Sequence, residues 1–154
     1  MPTISLTGDY YCGESRDQEE FSVINDYLKD SQINVVNFEG SLHSNTIPPK
    51  AVNLAMDEDA LSFPNSTILS LSNNHILDFG AQGLQKTLKA IAQKDLSWFG
   101  LESKLFQGDN YKIIQCGDVN VCFVGFGWKN EECTPANKDH WGVSDYSQQS
   151  IERT

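Results

Sequence analysis

Basic charge is in short supply in this sequence: eleven Lys and Arg stand against twenty-one Asp and Glu, a formal net charge of -10. That balance excludes electrostatic tracking of nucleic acid or of an anionic membrane surface, and it suits cation binding. Cysteine is equally uninformative as a scaffold. Cys12, Cys116, Cys122 and Cys133 form no Cys-x-x-Cys pair, which removes a zinc knuckle and a thioredoxin-type redox pair and leaves buried thiols in a reducing compartment as the expectation. No run approaches the roughly 20 apolar residues of a membrane helix. The opening Met-Pro-Thr-Ile-Ser-Leu-Thr lacks a basic region followed by an apolar stretch, so no signal peptide is read and a cytoplasmic location is expected. What the chain does contain is enough apolar material for a core. In 154 residues, 39% are hydrophobic, with eight Phe, five Tyr and three Trp, which points to one folded domain and excludes general disorder.

Short apolar runs alternate with helical periodicity along the chain. Residues 3–7 are β-prone and stop at Gly8-Asp9. Asp17 with Glu20 reads as a capping box opening a helix through about Lys29, with Phe21, Ile24 and Leu28 on one face. Residues 33–38 form a second apolar run, closed by Glu39-Gly40, and a short helix is expected near 57–61 before Pro64. The third run, 67–71, ends in Ser72-Asn73-Asn74-His75. Leu84, Leu88 and Ile91 then mark the clearest helix, 81–93. Residues 96–99 read as strand four, and 111–116 and 120–126 as two strands joined by a tight turn at Gly117-Asp118. Residues 129–145 read as polar loop, and 147–154 as the start of a helix.

The order strand, helix, strand, helix, strand, helix, strand implies a parallel sheet, whose ligands sit beyond the carboxyl ends of its strands. The first three runs end in Asp9, in Glu39, and in Asn74 with His75. Two carboxylates, a carboxamide and an imidazole delivered to one rim are a donor set for a divalent cation. Each residue also has an ordinary reading. Asp9 suits a turn, Glu39 an exposed position, Asn73-Asn74 a loop, His75 a partly buried ring, Asp78 a helix N-cap and Lys50 a solvated surface. Agreement among three strand ends favours the metal site.

Over nearly its whole length the sequence resembles the bacterial CapA-like capsule and poly-gamma-glutamate biosynthesis proteins. The matching stretches are Thr7-Gly8-Asp9, Val36-Asn37-Phe38-Glu39-Gly40-Ser41-Leu42, Leu69-Ser70-Leu71-Ser72-Asn73-Asn74-His75-Ile76-Leu77-Asp78-Phe79-Gly80, Gly83-Leu84, Thr87-Leu88 and Phe99-Gly100. The resemblance implies an α/β fold of the metallo-dependent phosphatase kind, a layered α/β/β/α sandwich of which residues 1–154 would be the N-terminal part. It implies a metal-dependent phosphoesterase-like hydrolase linked to capsule, polysaccharide or poly-gamma-glutamate biosynthesis. In that chemistry two divalent ions (Mn, Zn or Fe) lie about 4 Å apart in the complete domain. Asp9, Glu39 and Asn74 would be metal ligands, and His75 would be the catalytic acid, a task suited to imidazole. Asn37, Lys50 and Asn73 would meet an anionic small-molecule or polymer substrate.

The sequence departs from general metallophosphatases at Tyr11, where they carry a ligating His. The further ligands of such a centre are histidines of the second half, whereas this sequence holds only His43, His75 and His140. His140-Trp141-Gly142 echoes a later family motif, but Asn137-Lys138-Asp139 before it is polar rather than an apolar strand, so the match is set aside. The chain is therefore expected to be the first part of a larger domain; were it whole, its uncovered sheet face would favour a homo-oligomer. A non-catalytic anion- or polymer-binding assembly factor is the alternative on the same fold.

Overall fold

β-Branched and aromatic side chains dominate residues 33–38. The structure is a computed structural model that describes residues 2–13, 18–46, 50–103 and 110–152. In it, Ile33–Phe38 (β2) lies inside a four-stranded parallel sheet, between Ile4–Tyr10 (β1) and Thr67–Ser70 (β5), with Ser97–Phe99 (β6) beyond. Helix α1 (Gln18–Leu28) links β1 to β2, and α2 (Gly80–Gln93) links β5 to β6. Parallel neighbours need such crossovers, because a tight turn cannot reverse the chain to the same end of the sheet. The four strands are all parallel, and the protein is a mixed α/β chain.

Strand periodicity divides the core between two faces. Val36, Phe38, Leu69 and Leu71 pack with Leu28, Leu84 and Ile91 from the helices. Ile33, Val35, Ile68 and Phe99 point the other way and meet Ile114, Val121 and Phe123. Those last three belong to an antiparallel hairpin, Tyr111–Cys116 (β7) and Val119–Val124 (β8), closed at Gly117-Asp118 with Gly117 at φ 61°. The sheet therefore has helices on one side and a second, small sheet on the other.

Several elements differ from the sequence reading. β1 does not stop at Thr7: its register against β2 gains one residue between Leu6 and Asp9, a bulge, and pairing resumes through Tyr10. Two-residue strands Ser41–Leu42 (β3) and Ala55–Met56 (β4) pair in parallel beside α2, too short to show periodicity in sequence. The short helix is a 3-10 turn, Glu58–Leu61. Residues 129–145 are more than polar loop. They contain a 3-10 turn, Lys129–Glu131, and isolated bridges Gly127↔Asp145, Pro135↔Val143 and Glu102↔Gly142, and they bury Cys133 and Val143 in the helix-side core. A single valine among polar neighbours carries no periodic signal. His140 occupies a turn in which Asn137 Oδ1 accepts from the backbone N–H of Asp139 and His140. Helix α3 spans Gln148–Ile151. Asp17, half of the expected capping box, lies outside the described residues. Among the described residues no helix is long and apolar enough to cross a membrane.

Candidate metal and phosphate rim

The bulge in β1 decides where Asp9 lies. It sets Asp9 opposite Asn37 and Tyr10 opposite Phe38, and Glu39 N–H then donates to the Tyr10 carbonyl at 3.0 Å. Asn37 Nδ2 donates to Asp9 Oδ1 at 2.7 Å, which sets Asp9 beside the end of β2 that leads into Glu39. Directly behind Glu39 the chain turns at Gly40, with φ 148°, where a Cβ would lie 2.7 Å from the Leu54 carbonyl oxygen. Glycine is required there, because no side chain fits between the turn and the 50–56 segment.

The third strand end arrives through an Asx turn. Asn73, 6% exposed, accepts from His75 N–H at 3.0 Å through Oδ1, while its Nδ2 donates to the Phe38 carbonyl at 2.9 Å and reaches Asn37 Oδ1 at 3.4 Å. His75 is thereby turned toward the other two tips, with Nε2 4.0 Å from Glu39 Oε1. Its opposite nitrogen, Nδ1, lies 2.7 Å from Asp78 Oδ2. Asp78 Oδ2 also accepts from Leu54 N–H at 2.9 Å, and Oδ1 lies 3.2 Å from Lys50 Nζ. Lys50 Nζ donates as well to the backbone carbonyl of Asn74. Asp9, Asn37, Asn73, His75 and Glu39 are thus linked in series by contacts that span three parallel strand ends.

Electrostatics within this series are unbalanced. Burial holds the Glu39 carboxyl above its ordinary range; hydrogen bonding of its protonated form to Asp9 and the charge of Asp9 push it further the same way, and the His75 ring opposes them. A carboxyl raised by burial and by the neighbouring Asp9 charge is one whose ionised form a bound cation would favour. That donor chemistry fits a hard divalent ion. Among the described residues no group of three or more His, Cys, Asp or Glu side chains is gathered for a metal.

The placement of each candidate is then plain. Asp9, Glu39, His75, Asn37 and Asn73 meet directly, and Asn74 and Lys50 join through the Asn74 carbonyl. Lys50 is mostly buried and ion-paired rather than solvated. Asp78 does not cap α2; Phe79 stands at that position, and the Asp78 carboxylate is engaged by His75, Lys50 and Leu54 instead. Its sequence signal was the i, i+3 spacing to His75, which a residue just ahead of a helix obscures. A separate open groove of about 550 Å³, lined by His43, Met56, Asp57, Glu58, Lys86 and Lys89, contains none of the rim residues.

Residues 3–153 match the family described as bacterial capsule synthesis protein PGA_cap. Over 114 residues, 69% of the chain, the sequence is 29% identical to a capsule biosynthesis protein CapA of Bacillus anthracis, and the match spans 28% of that relative's length.

Proposed function

The chain belongs to the bacterial capsule synthesis protein family, and from that premise we propose that it serves as a metal-dependent phosphoesterase-like hydrolase in making or trimming an anionic cell-surface polymer such as poly-gamma-glutamate. The observation that carries this reading is the convergence of Asp9, held by Asn37 at 2.7 Å, and Glu39 at the sheet's carboxyl rim, with His75 Nε2 4.0 Å from Glu39 Oε1. Asp9, Glu39 and the Asn74 amide would hold divalent ions (Mn, Zn or Fe), two in a complete α/β/β/α sandwich. What such ions supply is polarisation of a phosphoryl oxygen and a bound water acidic enough to be a nucleophile near neutral pH.

The chain's own residues have separable tasks. Asn37 orients Asp9 by donating to Oδ1. Asn73 ties the His75 loop to the end of β2 through the Phe38 carbonyl, so a substrate would meet these amides chiefly through the geometry they impose. His75, on the Glu39 side, would hydrogen-bond the phosphate and give a proton from Nε2 to the leaving oxygen. Lys50 adds positive charge under the His loop, which favours an anionic substrate.

Turnover of a generic phosphate ester in the presence of Mn, Zn or Fe tests the reading. His75→Ala is expected to lower kcat by about 100-fold, the usual scale for general acid–base catalysis, while bound metal stays at the wild-type level. Metal uptake by the wild-type protein without any ester hydrolysis would overturn the hydrolase in favour of a non-catalytic assembly factor.

A further inference from the structure

Away from the rim, the open groove of about 550 Å³ is lined by charges of both signs. One wall is α2, where Lys86, Lys89 and Gln93 lie on one stripe at i, i+3 and i+7, apart from the core stripe of Leu84, Leu88 and Ile91. The other is the chain leaving β4, with Asp57 and Glu58 in succession. Leu42 and Met56, partners across β3 and β4 and both buried, supply its apolar lining. Opposite charges in one groove can neutralise each other, yet among the described residues neither lysine forms an ion pair with either acid. Lys86 is fixed instead by donating from Nζ to the His43 carbonyl at 2.9 Å, which leaves two of its three N–H donors. Asp57 stands at the N-cap of its 3-10 turn, where an aspartate ordinarily accepts from a free backbone N–H, and makes no such bond. Neither wall satisfies the other.

We propose that this groove binds a short zwitterionic peptide, whose carboxylate is taken by Lys86 and Lys89 and whose ammonium is taken by Asp57 and Glu58. The pattern of charge selects the ligand. A plain anion would meet two carboxylates of its own sign, and a plain cation two ammonium groups, whereas a ligand carrying both charges is attracted by both walls. Length narrows the choice further. From Lys86 to Gln93 the helical wall runs about 10 Å at 1.5 Å per residue, which about three extended residues cover at roughly 3.3 Å each. The volume lies within the range of small-ligand sites. No residue of the groove belongs to the rim, so this inference stands apart from the hydrolase reading.

Titration of the metal-free chain with tri-L-alanine, whose only charges are its two termini, reads binding through 1H–15N amide spectra. Signals of residues 42–43, 56–58 and 86–93 are expected to shift and to saturate in the millimolar range. N-Acetylated trialanine and trialanine amide each lack one charge, and each is expected to bind about 10-fold more weakly, the scale of a lost hydrogen bond to a charged group. The paired substitutions Lys86→Gln with Lys89→Gln, and Asp57→Asn with Glu58→Gln, alter exposed side chains. Each pair is expected to weaken trialanine by about the same factor, and the spectra themselves show that the variants are folded. No saturable shift with trialanine overturns the inference, and so does a blocked tripeptide, or free L-alanine, that binds as tightly as trialanine. Neither metal nor ester enters the measurement, so its failure and that of the hydrolase reading are told apart.

Discussion

At Glu39 two carboxyl groups are brought together before any ligand arrives. Burial, the hydrogen bond with Asp9 and the charge of Asp9 all favour the protonated form of Glu39, so its folded-state value lies above the unfolded one. In the window between the two, the folded chain keeps a proton that the unfolded chain has already lost. Stability without metal therefore falls as pH rises through that window, from the ordinary Glu range upward. Thermal unfolding of metal-free protein between about pH 4 and pH 8 is expected to show this fall. Glu39→Gln is expected to flatten it, since an amide supplies the shared hydrogen without titrating. The same scale governs thiol chemistry. Burial pushes the Cys133 thiol up, whereas Cys122 is exposed on β8. Alkylation of the native protein, followed by mass spectrometry, is expected to label Cys122 first and to leave Cys133 until unfolding.

Elements made by strong periodicity were legible from the residues. Ile33–Phe38 has the bounds its β-branched run announces, α2 follows Leu84, Leu88 and Ile91, and the hairpin turns where Gly117-Asp118 stands. Leu84 is 0% exposed between α2 and the sheet. Leu84→Ala is accordingly expected to cost about 2–5 kcal/mol in chemical denaturation, the range for a leucine removed from a packed core. What escaped the sequence are features set by contacts distant along the chain. The β1 bulge depends on pairing with Asn37, β3 and β4 have two residues each, and Val143 enters the core through bridges to residues near Pro135. Strand ends named Asp9, Glu39 and His75 as a group, because residue type and the end of an apolar run coincide there. The engagement of Asp78 was hidden, since a carboxylate ahead of a helix reads first as a cap.

On the scale of the whole molecule, an excess of ten negative charges is compatible with a rim that collects cations. The parallel sheet brings its strand ends to one edge by topology, and the Asn37 amide then holds the Asp9 carboxylate there. The chain spans 28% of the length of the CapA protein it matches, so the polymer acted on and any further metal ligands belong to the proposal rather than to the rim alone. Its central claim is that Asp9 and Glu39 together hold a divalent ion. The direct measurement is elemental analysis of the purified protein after equilibration with Mn or Zn and removal of free ion. The wild-type protein and an exposed-carboxylate control, Asp26→Ala, are expected to retain metal in stoichiometric amount, and Asp9→Ala and Glu39→Ala to lose it. Metal retained at the wild-type level by both rim variants would contradict the account.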